Sequence, residues 1–106
     1  AFAQLLSKPE KPSAVICGSD VLAVGAMLQA HKMGLRVPED ISITGFDDIS
    51  LARVTTPSLT TVRVPQHAMG RKAAEVLLAL LNQEPAQTLQ HELMTTIVDR
   101  GTLARV

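Results

Sequence analysis

The sequence alternates short strand-like runs with longer segments of helical spacing, and this alternation limits the fold more than any other feature. Residues 14–17 form a continuous apolar run, which is typical of a strand buried on both faces. Residues 41–46 and the β-branched segment 59–64 are also strand-like, and 91–98 is a weaker strand candidate. Helical segments at 21–33 and 65–82 separate them. This order predicts a layered α/β fold with a mainly parallel sheet.

Local signals predict where these helices begin and end. Ser19 or Asp20 can cap the first helix, and Gly34 suits the residue just beyond its end. Pro65 suits the first residue of the second helix, whereas residues 49–58 read as an irregular connection. Six apolar residues recur at helical spacing and predict a buried face for the second helix: Met69, Ala73, Val76, Leu77, Leu80 and Leu81.

Acidic residues follow two of the predicted strands. Asp20 follows the first strand, and Asp47 and Asp48 follow the second. If these strands are parallel neighbours, both acidic corners lie at the carboxyl edge of one sheet, where open α/β sheets bind ligands. A carboxylate there can accept hydrogen bonds from sugar hydroxyls or from base N–H groups. The alternative is that Asp20 only caps a helix and Asp48 only closes a turn.

The first helix begins with eight residues, 21–28, that carry no polar side chain. A helix covering one face of a sheet normally shows a polar stripe within two turns. We therefore expect its outer face to pack against a partner subunit or a missing domain, although a larger single chain could also cover it. The predicted interface residues are Val21, Leu22, Val24, Gly25, Met27 and Leu28.

Charge and composition argue against several functions. Ten basic residues balance ten acidic ones, so the chain lacks the clustered positive charge of a nucleic-acid or anionic-membrane binder. Aromatic residues make up 2%, which excludes a stacking platform for single-stranded nucleic acid. No apolar run approaches the roughly 20 residues of a membrane span. The histidines show no metal-ligand spacing, no phosphate-binding loop is present, and we predict no metal or cofactor. Cys17 is predicted to be a buried small residue, and a single cysteine fits a reducing compartment.

Three ordered stretches of the sequence are specific signatures: Gly-Leu-x-Val-Pro-x-Asp-Ile-Ser at 34–42, Gly-Phe-Asp-Asp at 45–48 and Leu-Thr-Thr-Val at 59–62. Residues 14–20, 23–26 and 69–74 add to this pattern, which runs from about 12 to 104. Together these stretches resemble the carboxyl-terminal third of lactose-repressor (LacI/GalR) family transcription regulators. The segment 99–102 looks like the family's Arg-x-Ser/Thr ending.

The resemblance implies a three-layer α/β core of the type I periplasmic-binding-protein kind, of which residues 1–106 are the carboxyl-terminal part. It places residues 13–63 in the carboxyl-terminal lobe, 64–92 in the other lobe, and 93–106 in a final returning strand. The chain starts without Met or a signal-peptide pattern, which also suggests a piece of a longer protein. The DNA-binding helix-turn-helix would lie upstream and is absent here.

The resemblance also implies a function and a site. A sugar or related metabolite would bind between the lobes of a cytoplasmic, non-enzymatic homodimer or higher oligomer and alter operator binding. Asp47 matches the family's effector-contacting aspartate, and Ser19 stands where many members have Asn. The predicted ligand-binding residues are Asp47, Ser19, Asp20 and Phe46. With only one half of the cleft, the chain alone is expected to bind effector weakly.

Two alternatives remain open from the sequence. A periplasmic-type sugar-binding receptor shares the architecture, and a signal peptide upstream would favour it over a regulator. A phosphoryl-transfer enzyme or receiver domain would instead use Asp20, Asp47 and Asp48 around Mg²⁺. Such sites usually need a nearby lysine, and neither Lys32 nor Lys72 lies at a predicted strand end.

Overall fold

A computed structural model describes residues 1–83, 88 and 90–104. The predicted alternation of strands and helices is confirmed, and two short helices add to it. In chain order the elements are α1 Phe2–Leu6, β1 Ala14–Ile16, α2 Asp20–Lys32, β2 Ser42–Asp47, α3 Ser50–Val54, β3 Thr60–Arg63, α4 Gln66–Leu81 and β4 Thr96–Val98.

The chain divides into two compact units. The first comprises Ala1–Arg63 and Thr96–Val106, and the second is Val64–Thr95. The division after residue 63 coincides with the boundary expected between lobe segments. The assignment of each unit to a lobe of a larger core stays a prediction.

The first unit contains one four-stranded sheet in the order β1-β2-β3-β4. β1 pairs with β2 and β2 with β3 in parallel, whereas β4 runs antiparallel to β3. Thr96, the first residue of β4, pairs with Arg63, the last residue of β3. The chain thus rejoins the sheet at the edge from which it left, and this fixes the opposite direction of β4.

The core of the first unit lies between α2 and the sheet. α2 contributes mainly small side chains, which let the helix approach the strands closely. Larger side chains come from β2 (Ile43) and from the residues just before β2 and β3 (Ile41 and Leu59). The buried apolar residues are Leu6, Ala23, Ala26, Met27, Ala30, Ile41, Ile43, Ala52 and Leu59.

The ends of α2 follow the local signals. Ser19 is the N-cap, and its hydroxyl accepts a hydrogen bond from the Leu22 N–H at 3.3 Å. At the other end Gly34 has φ +73°, and the Leu35 N–H reaches the Ala30 carbonyl at 3.0 Å. This is the Schellman arrangement, in which a left-handed residue closes the helix, so the prediction for Gly34 is confirmed.

Three predicted segments are shorter or different in the structure. The connection predicted to be irregular contains the helix α3, and only residues 96–98 of the segment 91–98 form a strand. Pro65 is the N-cap of α4, which begins one residue later. The changes at β4 and at Pro65 are shifts of element ends, which depend on long-range pairing and packing. The helix α3 is an additional element that the irregular connection 49–58 did not predict.

β1 is not buried on both faces. Ile16 is 86% exposed, and Phe46 and Ile97 are exposed on the same face of the sheet, opposite the one that carries Ile43. Within the described residues, α2 covers only the Ile43 face. Burial of β1 on both faces would require helices on both sides of the sheet, so the prediction is wrong for the described residues.

The predicted buried face of α4 is exposed. None of its residues, all of which are described, is buried, and Leu77 and Leu81 are 57% and 69% exposed. The unit Val64–Thr95 contains one helix and no strand among its described residues. A single helix cannot bury its own apolar stripe. The prediction of a helix in this segment is therefore confirmed, whereas the prediction of a buried face is wrong for the described residues.

Candidate functional site

Asp47 ends β2 in an unusual backbone conformation. Its φ is +111° and that of Asp48 is +56°, so two consecutive residues with side chains lie in the left-handed region. Such residues each cost about 1–3 kcal/mol and persist where the surrounding structure holds them, commonly at functional sites. Asp47 is half-buried, and its carboxylate makes no hydrogen bond or ion pair with another described residue. Its charge is therefore available to a ligand at the carboxyl edge of the sheet.

Asp48 is the centre of an ion-pair cluster. Its side chain is 2% exposed, and its Oδ1 accepts a hydrogen bond from Arg100 Nη2 at 2.5 Å. Its Oδ2 accepts one from Arg63 Nε at 2.6 Å and lies 3.6 Å from Arg53 Nη2. Burial raises the pKa of the Asp48 carboxyl, but the hydrogen bonds from Arg100 and Arg63 outweigh it, so the pKa is lowered. The Asp48 carboxylate is thus paired with arginine side chains of the same chain.

Arg100 joins the end of the chain to this edge of the sheet. Its side chain is 13% exposed, and its Nη1 donates to the Leu59 carbonyl at 2.8 Å. Its backbone N–H donates to Thr60 Oγ1 at 2.9 Å, and the Thr60 N–H donates to Thr102 Oγ1 at 2.9 Å. In the sequence Arg100 stands out only as part of the segment 99–102, which resembles the family's ending. Nothing local links it to Asp48, which lies 52 residues earlier.

The carboxylate of Asp20 accepts hydrogen bonds from groups within the protein. The residue is fully buried; its Oδ2 accepts from the Ile49 N–H at 2.8 Å and its Oδ1 from Thr61 Oγ1 at 2.5 Å. The two acidic corners do meet at one edge, as the topology predicted. However, Asp20 exposes no atom to a ligand here, and Ser19, not Asp20, caps the helix. A ligand contact through Asp20 stays a prediction that this conformation does not support, because buried donors already satisfy its carboxylate.

Ser19 and Phe46 differ in their surroundings. Ser19 is half-buried, and its hydroxyl is engaged as the cap of α2. Phe46 is 39% exposed and lies on the uncovered face of the sheet. A ligand contact by either residue stays a prediction.

The predicted interface helix does present an apolar surface. Val21, Leu22 and Leu28 are 64%, 63% and 61% exposed, Gly25 is exposed, and Val24 is half-buried. Met27 is a correction, because its side chain is buried in the core of its own unit. The all-apolar sequence of this segment hides which residues face inward, and only the packing of α2 on the sheet separates them.

Two other features concern alternative sites. Among the described residues, no three His, Cys, Asp or Glu side chains converge on a point where they could hold a metal ion. The carboxylates of Asp20 and Asp48 accept hydrogen bonds from donors within the protein, so they are not free to form the carboxylate cage that a Mg²⁺-dependent enzyme would need.

A cavity of about 310 Å³ lies at the carboxyl end of α2, between Met27, Leu35 and Pro57, and none of the predicted ligand-binding residues lines it. The helices of the described residues include none that could span a membrane.

The sequence matches a known protein family. The family model described as the periplasmic binding protein-like domain matches residues 1–103. The chain belongs to the periplasmic binding protein-like domain family. Within that family the resemblance to the LacI/GalR effector-binding core is confirmed by the relatives described below, and the α/β fold prediction is confirmed with it.

Similar curated proteins are transcriptional repressors. The domain is 39% identical over 104 residues to the HTH-type transcriptional repressor PurR of Erwinia tasmaniensis, and 38% identical to that of Escherichia coli. Each match covers 98% of this chain and 30% of the repressor. The domain therefore spans about a third of the length of these relatives.

Solved structures agree with the fold. A complex of the transcriptional regulator CelR with cellobiose superposes with a TM-score of 0.90 at 30% identity, over 96% of this chain and 31% of that one. The lac repressor dimer bound to operator and the anti-inducer ONPF gives a TM-score of 0.88 at 30% identity, over 98% and 36%. The four relatives and structures named here are repressors or regulators of transcription.

Proposed function

We propose that the domain is part of the ligand-sensing and dimerisation core of a LacI-type transcriptional regulator. A sugar or related small polar metabolite binds at the carboxyl edge of β2. Binding shifts the whole protein between a state that binds operator DNA and one that releases it. The operator is bound by a helix-turn-helix outside this chain, and the chain's own sequence carries no basic patch for it.

Asp47 is the observation that carries the proposal. It combines a half-buried carboxylate, no described internal partner and a left-handed backbone at the sheet edge where α/β folds bind ligands. Carboxylates at such positions accept two hydroxyl hydrogen bonds from one ligand. Phe46 precedes Asp47 in β2 and Ser19 follows the neighbouring strand β1, and we propose them as supporting contacts. The CelR–cellobiose complex gives a precedent for a sugar ligand in a protein of this fold.

Dimerisation is proposed through α2. Its exposed residues Val21, Leu22, Gly25 and Leu28, with Val24 at the margin, form an apolar strip on a helix whose opposite side is already buried. An apolar strip of this kind is typical of a surface that a second protein covers. The lac repressor structure, described as a dimer, supports a homodimer. Met27 is left out of the proposed interface.

The proposed regulator is not an enzyme and acts in the cytoplasm, where it meets its operator. The periplasmic-type receptor has the same family architecture, but the similar proteins reported above are regulators of transcription. For that reason we favour the regulator.

The test begins with the full-length protein and a thermal-shift screen of sugars and nucleobases. A ligand that binds only the folded state stabilises it by RT ln(1 + [L]/Kd), so the melting temperature rises with the logarithm of the ligand concentration once this exceeds Kd. Asp47→Ala should weaken the affinity for a hit more than tenfold, about 1.4 kcal/mol, while operator binding survives. Glu39→Gln, which removes a charge at an exposed position, is the control. An unchanged affinity in Asp47→Ala would contradict the proposed site.

A further inference from the structure

The left-handed pair Asp47–Asp48 needs something to hold it. Neither residue is glycine, and their φ values of +111° and +56° are disfavoured for any L side chain. An isolated strand end with this sequence would relax to an extended backbone. The surrounding contacts must therefore supply the constraint.

Asp48 supplies it through both of its carboxylate oxygens. Oδ1 is held by Arg100 and Oδ2 by Arg63, from two different segments of the chain. Fixing both oxygens of a short side chain fixes its orientation and so the direction of its Cα–Cβ bond. Because Asp48 shares a peptide bond with Asp47, this also limits the rotation available to Asp47.

Arg100 is the better anchored of these two donors. Its side chain is 13% exposed, whereas that of Arg63 is 51% exposed. Its guanidinium also donates to the Leu59 carbonyl, and its backbone N–H donates to Thr60 Oγ1. These contacts tie it to β3, which is paired on both sides. Because the guanidinium group is planar, donating to a carboxylate and a carbonyl at the same time fixes its orientation.

The peptide after Asp48 is held as well. The Ile49 N–H donates to the buried Asp20 carboxylate at 2.8 Å, and Asp47 itself is still in register with Arg63 in the sheet. The two left-handed residues thus lie between a strand and a fixed amide, with Asp48 clamped in the middle. This is the over-determination that a strained conformation requires.

We propose that Arg100, acting through Asp48, is a positioning residue that holds Asp47 in its left-handed conformation at the ligand edge. The use of Asp47 by a ligand rests on the proposed function, but its positioning does not. Loss of the Arg100–Asp48 contact would let Asp47 return towards an extended backbone. Its carboxylate would then point in a different direction.

The experiment compares Arg100→Gln, Arg100→Lys and Asp48→Asn with the wild type in the full-length protein without ligand. Aspartate-selective labelling for NMR reports the Asp47 amide shift and its HN–Hα coupling, which depends on φ, and crystal structures give φ directly. Arg71→Gln is the matched control, because Arg71 is 74% exposed on α4. Thermal melting is measured for every variant to separate local change from unfolding.

We expect Arg100→Gln to move the Asp47 signals and its φ, Arg100→Lys to restore them in part, and Arg71→Gln to leave them unchanged. If Arg100→Gln does not fold, Asp48→Asn decides, since it keeps the shape and removes the charge. A folded Arg100→Gln or Asp48→Asn variant with Asp47 still at positive φ would overturn the inference. An unchanged ligand affinity in Asp47→Ala would overturn the proposed ligand site instead, so the two failures are distinguishable.

Discussion

The Asp20 carboxylate fills the space that a side chain at position 45 would need: a Cβ on Gly45 would lie 2.2 Å from Asp20 Oδ1. The same Cβ would lie 2.9 Å from Leu59 Cδ2. Asp20 cannot move aside without giving up its hydrogen bonds to Ile49 and Thr61. The glycine in β2 is therefore required by close packing and not by an unusual φ.

We expect Gly45→Ala to destabilise the fold by about 1–3 kcal/mol, the usual cost of overpacking a filled interior. Urea unfolding monitored by circular dichroism measures it. Gly70→Ala is the matched control, because a Cβ at that position in α4 meets nothing within 4 Å. In a helix this control should stabilise by about 0.5–1 kcal/mol. Equal effects of the two substitutions would contradict the packing argument.

Lowering the pH should decrease the free energy of unfolding of the first unit, because two of its carboxylates are hydrogen-bonded to arginine side chains. The hydrogen bond from the Arg36 side chain lowers the pKa of Asp40 to about 2, and the pKa of Asp48 is lowered despite its burial because Arg100 and Arg63 bind it. A carboxylate with a lower pKa in the folded chain binds fewer protons when folded than when unfolded. Its stabilisation is therefore complete above the ordinary value of 3.8 and is lost as pH falls through the lowered pKa.

Urea unfolding at a series of pH values through this range measures the loss. Asp48→Asn should lower stability near neutral pH and flatten the decline at acid pH. Glu10→Gln, at an exposed position, should leave the pH profile unchanged. If the free energy of unfolding of the wild type does not decrease when the pH is lowered below 3.8, the expectation is wrong.

Substitution of the exposed strip on α2 should dissociate the proposed dimer. Leu28→Lys places a charge at a position that is 61% exposed in the single chain, so the fold should survive while association weakens. We expect at least a tenfold increase in the dimer dissociation constant, about 1.4 kcal/mol, in sedimentation experiments on the full-length protein.

The control for this interface is Lys32→Gln, an exposed change at the end of the same helix. Met27→Glu is unsuitable, because it would place a charge in the core and unfold the unit. An unchanged sedimentation profile for Leu28→Lys would show that the strip is not the dimer contact.

The sequence by itself determined the elements whose signals are local. Apolar runs, helical spacing, the Ser19 cap and the Gly34 stop depend on residues within a few positions of one another, and each has its counterpart in the structure. The parallel neighbours β1 and β2 follow from the helix between them. The ordered motifs at 34–42, 45–48 and 59–62 together indicated the family, and the resemblance singled out Asp47 as a predicted ligand contact.

Only the tertiary structure decided what those residues contact. It turned Asp20 inward, put Met27 in the core and left Ile16 exposed. It also joined Arg100 to Asp48, which are 52 residues apart. The physical reason is that burial and charge pairing depend on which surfaces meet in space, and sequence spacing carries no record of partners that distant. The left-handed backbone of Asp47 belongs to the same class, since no rule for a local Phe-Asp-Asp turn predicts a conformation that long-range contacts impose.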